Sequence, residues 1–449
     1  MAAAPNGKFH EVGIDDLFFS TTDSKGVIEQ ANQVFVDMAR TPREGLVGEP
    51  HNIIRHPDMP GGAFRIVWET IGAREPVCAY VLNLAGDGSS YWAFATITPL
   101  EGGYISVRAR PCHAQTLDVV AQIYARVREI ERKTMAEGGS AARAARVGQD
   151  AILEELRKLG YDSYAAFMQD VMPAEAAARA SAGAKLPVRD GATGFQRILL
   201  DSSTDMDRRV SQLASDLGSA DDLAADLDDR VSRTLDSLGA LEQAVRSARA
   251  VVDAHEDDAP LVANAAPALE VQCHKVADTM RGVLAHVDQM CALRHALRFS
   301  VCMAQMQAET VCRFTAATID GKEDAATSAA ANDSLVRSLE AGIGAVRGSL
   351  MLDREKVGAM SEEIERAEAD LRVTSLLLGR WRSLIEKYGL AEQMADALPM
   401  LDDALAKLSA NLAGLHESAG RFNSSVVAFD ADGLEQRLHD IQSQNAALA

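Results

Sequence analysis

The sequence predicts an α+β module of about 110 residues followed by a long all-α region. Three observations carry this. The first 112 residues hold most of the Trp and Pro, with Gly-rich turns between short segments of strand character. After Pro111 the chain turns to Ala, Leu, Glu, Asp and Arg, and proline becomes sparse. Beyond residue 197, apolar residues recur at heptad spacing.

Within the first module, Phe18 to Thr22 reads as a strand, Asp23-Ser24-Lys25-Gly26 as a turn, and Val27 to Ala31 as a second strand. Asn32 is placed to cap a helix through Val34, Phe35 and Met38. Thr41-Pro42 opens a further helical turn. Next comes PHNIIRHPDMP, Pro50 to Pro60, too broken by proline for a regular helix. Gly61 to Gly72 reads as a helix with Phe64, Val67, Trp68 and Ile71 on one face, and core packing is the expected role of Phe64 and Trp68. Cys78 to Leu84, Tyr91 to Thr98 and Tyr104 to Arg110 follow as a meander, joined at Gly86-Asp87-Gly88 and Gly102-Gly103. The expected product is a five-stranded antiparallel sheet with helices on one face, of a size suited to holding a ligand.

Residues 113–196 read as a connector. Leu117, Val120, Ile123, Val127 and Ile130 mark an amphipathic helix, broken at Glu137-Gly138-Gly139-Ser140. Ile152 to Met168 reads as a second helix, and Pro173 to Thr193 as a mobile stretch. Residues 197–449 read as an elongated antiparallel coiled-coil bundle. Met206, Val210, Leu213, Leu217, Ala220, Ala224, Leu227, Val231, Thr234, Leu238, Leu241 and Val245 form one seam. Val336, Ile343, Leu350, Val357, Ile364, Leu371, Leu378 and Ile385 form another. Leu261 to Thr318 is helical with a broader apolar face, and a fourth segment covers Met400 to about Leu438. The expected joints are Asp257 to Pro260, Asp320-Gly321 and Ala397-Leu398-Pro399.

A net charge of −20 over 449 residues argues against nucleic acid and against anionic membrane surfaces. There is no apolar run of 18 residues and no signal-peptide core, and the six cysteines include no CxxC pair. A reduced, cytoplasmic setting is expected. Cys291 and His295 share a helix face near Cys273, His274 and His286, but no second pair is phased with them, so core residues are expected and no metal site. The methionines between Leu293 and Phe314 fit a bundle core or a partner surface. Nucleotide-loop, nucleophile-elbow, kinase, cyclase and DNA-reading motifs are missing, so an enzyme is not expected.

The stretches STTDSKGVIEQANQVFV, GEPHNIIRHPDMPGGAF and YWAFATITP give residues 14 to about 110 their family resemblance. The module resembles the FAD-binding PAS domain of aerotaxis receptors, in which the flavin's redox state is the signal. The resemblance implies FAD as cofactor. It implies binding roles for Asn32, His51, Asn52, Arg55, His56, Asp58, Phe64 and Trp92. Val77 and Thr96 depart from the family's pattern, where Trp and Asn are expected. The family's membrane anchor and its kinase-docking hairpin tip find no match, so a different output is expected.

Residue chemistry suits the flavin reading. Arg55 offers a donor fork for phosphate, His56 a further donor, and Asp58 an acceptor to orient either. Trp92 offers a stacking face. The expected function is a cytoplasmic redox or oxygen sensor, a homodimer that signals through its helices to a protein partner. Two alternatives stand beside it. One is a haem-binding PAS gas sensor with His51 or His56 as axial ligand. The other is a cofactor-free PAS and coiled-coil dimerisation scaffold.

Overall fold

The computed structural model describes residues 4–254, 259–323 and 325–424, with positions 433, 436, 438 and 439. The chain divides into two compact units. One contains Met1–Ala214 and His295–Arg347, the other Ser215–Arg294 and Gly348–Ala428.

The first unit is built on a PAS-like sheet. Its strands are β1 (Phe18–Asp23), β2 (Ile28–Ala31), β3 (Val77–Leu84), β4 (Ser90–Leu100) and β5 (Gly103–Ala109), all antiparallel in the order β2-β1-β5-β4-β3. The Asp23 turn closes as its sequence directs. Asp23 Oδ1 accepts from the Lys25 and Val27 amides, and Gly26 takes the left-handed backbone the turn needs. Helices α1 (Gln33–Ala39) and α2 (Gly61–Gly72) lie between β2 and β3 in the chain, with PHNIIRHPDMP as two short irregular turns between them.

Strand register sorts side chains between the two faces. Ser20, Ser106 and Ile97 fall opposite one another, as do Phe18, Arg108 and Ala95, and these look toward α1 and α2. Phe19, Tyr80, Phe94, Thr96 and Val107 look the other way, and all are buried. Expectation and structure differ here, because helices cover both faces. The connector forms α3 (Ala114–Ala136), α4 (Ala141–Lys158) and α5 (Tyr164–Ser181). Tyr164 of α5 donates from its hydroxyl to the Cys78 carbonyl at 2.9 Å. Tyr80 donates to Glu175 at 2.7 Å, and Glu175 also accepts from the Cys112 and His113 amides.

Two connector readings are corrected. Gly160 splits the single segment expected over Ile152–Met168 into two helices. Pro173 lies inside α5 and is buried, with the Arg179 ion pair described below anchoring that helix, so the expected mobile stretch is helical as far as Ser181.

Helix α2 starts after Pro60 without a side-chain cap of its own. Glu131 of α3 supplies the missing acceptor, taking the Gly61 and Gly62 amides at 2.9 and 2.8 Å. Asp58, just ahead of the helix, pairs with Arg132 at 2.6 Å. Helices α2 and α4 meet at glycines: a Cβ on Gly62 would stand 2.3 Å from the Gly148 backbone. Gly62→Ala must force the helices apart, and a loss of about 1–3 kcal/mol is expected. Urea unfolding checks it; an unchanged midpoint would deny the close approach.

The long helices are α6 (Gly194–Asp253), α7 (Pro260–Ile319), α8 (Ala325–Lys387) and α9 (Ala397–Ser424). Both heptad seams are buried wherever their side chains are described; Ala220 and Ala224 fall outside the described side chains. In the second unit the four helices share one core. Their cross-helix bonds show antiparallel order, since numbers rise on one helix as they fall on its neighbour. Trp381 meets Val262, Asp370 meets Gln272, and Asp353 meets Arg294. Likewise Asn411 meets Ser237, and Ser418 meets Asp226.

Ala397 to Pro399 is not a joint but the first turn of α9. The break after α8 falls earlier, at Gly389, which is left-handed. Residues 257–258 of one expected joint, and 425–432 of the fourth segment, lie outside the described residues. Among the described residues no helix is long and apolar enough to cross a membrane.

The C-terminal part of α7 packs within the first unit. Phe314 meets Phe19 edge-on at 5.0 Å, Gln307 donates to Thr98 at 3.0 Å, and Arg313 pairs with Asp15 at 2.9 Å. Met303 and Met306 on the same helix are buried.

Candidate functional site

A cavity of about 190 Å3 lies between α2 and the inner face of the sheet. Its wall is mainly apolar: Val67 and Ile71 from α2, and Val77, Ala79, Val81, Ala95 and Ile97 from the strands. It exceeds the roughly 150 Å3 that suffices for a benzene ring. A half-exposed Trp68 stands at its edge, 5.7 Å from Tyr104 in an edge-on pair. Trp68 is thus not the core residue the sequence suggested.

Few polar groups face this slot, and each is distinctive. Arg108 of β5 is 4% exposed and has no carboxylate partner among the described residues. Its guanidinium donates to His51 Nε2 and to Ser20 Oγ, and lies over the rings of Phe35 and Phe18. Burial pushes its pKa down to about 10. The same burial, reinforced by the Arg108 charge, holds His51 well below the usual histidine range. His51 is therefore neutral, with Nε2 as acceptor and the proton on Nδ1. Ser106 Oγ is buried and unpartnered in the same wall. Asn83, 2% exposed, also faces the cavity; its amide nitrogen makes only a 3.5 Å bond to the Val81 carbonyl.

Of the eight residues singled out in the sequence, four line the cavity: His51, Asn52, Arg55 and Phe64. The Arg55 guanidinium sits 4.4 Å above the Phe64 ring and donates to the Met59 carbonyl. The other four lie elsewhere. Asn32 spends its amide on the Phe19 and Phe35 N–H groups and the Leu17 carbonyl, capping α1 and tying it to β1. His56 is buried, its Nδ1 accepting from the Asp58 amide. Asp58 is exposed and bound to Arg132, not to Arg55. Trp92 lies on the opposite face of the sheet, stacked on Tyr124 of α3 at 6.5 Å.

Of the family departures, Val77 does line the cavity, whereas Thr96 faces away and donates to the Val107 carbonyl. Arg108, Asn83 and Ser106 escaped the sequence reading. The available signal was an arginine on the apolar strand YISVRA, in phase with Ser106.

These features define a PAS-like module with a mainly apolar internal cavity. No family model matches the chain. The N-terminal hundred residues match the aerotaxis receptor of Escherichia coli (strain K12), at 41% identity over 101 residues, which are 21% of this chain and 20% of that protein. The chain therefore spans about a fifth of the length of the curated relative it matches. Solved structures with likeness include a PAS domain from Colwellia psychrerythraea (22% identical, covering 21% of this chain and 85% of that one, TM-score 0.19). Another is the LOV domain of a blue-light activated histidine kinase from Erythrobacter litoralis (20% identical, covering 20% and 90%, TM-score 0.19). At these scores the two likenesses add nothing to the topology described above.

Proposed function

We propose that this chain is a cytoplasmic redox or oxygen sensor whose PAS-like module holds FAD non-covalently. The reading has it signal, without an enzymatic activity of its own, through its helices to a protein partner as a homodimer. One observation carries the reading: a buried arginine with no carboxylate partner among the described residues opens into an apolar slot. An uncompensated buried cation costs several kcal/mol, and an electron-rich ligand edge would offset that cost.

The residues present suit a flavin. The apolar wall suits a flat ring system, and Arg108, Ser106 and Asn83 supply directed polar groups for one edge. His51, neutral and held by Arg108, adds no competing charge. When bound, FAD supplies redox chemistry that alters the charge and protonation of its ring. Arg108 and Ser106 lie on β5, whose next residues lead into α3 through Cys112 and His113. Glu175 fixes that junction, holding both amides together with Tyr80 of β3. A change in the bonds of Arg108 or Ser106 thus has a short route to α3 and α5. The haem reading fares worse, because Arg108 already occupies His51 Nε2 and His56 lies outside the cavity wall.

Hydrogen exchange on the flavin-loaded protein, oxidised against reduced, tests the signalling. Changed protection in β5 and at the starts of α3 and α5 is expected. Identical protection throughout would leave a flavin carrier without a signal.

A further inference from the structure

The turn between α7 and α8 is held against the sheet module within the first unit. Glu323, in that turn, is buried; it accepts from the Gln33 amide at 2.6 Å and pairs with Arg43 at 3.3 Å. Three features weaken this contact. Burial keeps the Glu323 carboxyl above its usual pKa despite both partners, so its charge is not fully compensated. Arg43 is divided between Glu323, the Ala31 carbonyl and the Gln33 side chain. A cavity of about 370 Å3 opens beside them, lined by Phe19, Val47, Phe314 and Ala331, where a permanent joint would be close-packed.

Helix α1 carries this contact on one side and meets the Arg108 cluster on the other. Its Phe35 is fully buried, stacks on His51 with ring centroids 5.8 Å apart, and lies under the Arg108 guanidinium at 5.3 Å. Gln33, whose amide bonds Glu323, stands two residues away on the same helix.

We infer that the α7–α8 turn is an autoinhibitory latch on the sheet module, and that closure of the latch and occupation of the apolar cavity oppose each other through α1. An acceptor in the cavity draws the Arg108 guanidinium off the Phe35 ring. Helix α1 loses that hold, slackens at Gln33, and Glu323 is released. The latch acts beside the route through β5 and α3, and it rests on the flavin reading above only for the ligand that tests it. Coupling between two sites is reciprocal: what the ligand does to the latch, the latch does to the ligand.

Hydrogen exchange of the full chain, freed of any flavin, is followed with and without added FAD in the wild type, Glu323→Ala and Phe35→Leu. FAD should speed exchange at Gln33 and over residues 316–323 by about fivefold or more, the lower end of coupling between linked sites. Glu323→Ala should bind FAD tighter by a similar factor, whereas mere damage to the fold would weaken binding. Phe35→Leu should already speed exchange over residues 316–323 in the empty protein. Unchanged exchange there on FAD binding, or an FAD affinity in Glu323→Ala no higher than in the wild type, would overturn the latch and leave the flavin reading intact. Failure of FAD to bind would overturn the flavin reading, and Phe35→Leu would then decide alone. Faster exchange over residues 316–323 in that variant would uphold the latch, and unchanged exchange would overturn it.

Discussion

Replacing Arg108 by Met is expected to stabilise the flavin-free protein while removing its ability to hold flavin. The guanidinium is buried, faces no carboxylate among the described residues, and finds only a neutral His51, the Ser20 hydroxyl and two aromatic faces. Neutral acceptors do not return what a full charge loses on leaving water. Methionine fills similar space without that cost, and its flexible thioether adapts to the neighbouring Phe18 and Phe35. A gain of about 1–4 kcal/mol is expected in urea unfolding of the flavin-free chain. Flavin affinity should fall at the same time. A residue that lowers stability in the empty protein yet is needed for the ligand is a binding residue. If Arg108→Met instead destabilised the empty protein by several kcal/mol, the arginine would be a structural tie between β5 and the loop at His51.

Glu309→Ala should cause the largest loss of stability in the first unit. Glu309 of α7 takes a two-pronged bond from Arg179 of α5, at 3.1 and 2.7 Å, and a further one from Arg313 at 2.7 Å. Arg179 is 5% exposed, and its remaining nitrogen is buried without a partner. Truncating the carboxylate strands that charge, and about 3–5 kcal/mol is expected to go with it. Burial by itself would raise the Glu309 pKa, but the bonds and charges of Arg179 and Arg313 outweigh it and hold the carboxyl below its usual value. The sign for pH follows. A carboxylate depressed in the folded state contributes fully above its unfolded value, about 4.3. That contribution fades as pH falls through the lower folded value. The gap between wild type and Glu309→Ala should therefore be widest near neutral pH and narrow in acid. A gap that stayed constant down to acid denaturation would mean that packing, not charge, holds α5 to α7.

The long helices were legible because a heptad seam is a local signal. Each seam residue named from spacing is buried wherever its side chain is described. The sheet was legible for a similar reason, since glycine turns and short apolar runs mark strand ends. Which face a strand residue takes is harder to read. Alternation has a period of two and is satisfied equally by either assignment. Trp92 and Thr96 share a parity with Phe94, on the face away from the cavity, and only their register against β3 and β5 reveals it. Covering the outer face was invisible for another reason. Phe19 meets Phe314 across 295 positions of sequence, and no local pattern announces such a contact. Arg108 carried a visible signal, but a charge on a strand reads by default as solvent-facing.

Purification of the full chain and an absorption spectrum before and after dithionite test the central claim most directly. The near-ultraviolet and blue bands of an oxidised flavin, bleached by reduction, are expected. Occupancy should be lost in Arg108→Met and retained in Trp92→Ala, since Trp92 faces away from the cavity. A folded protein without those bands that also refuses added FAD, or one showing the intense Soret band of a haem, would contradict it.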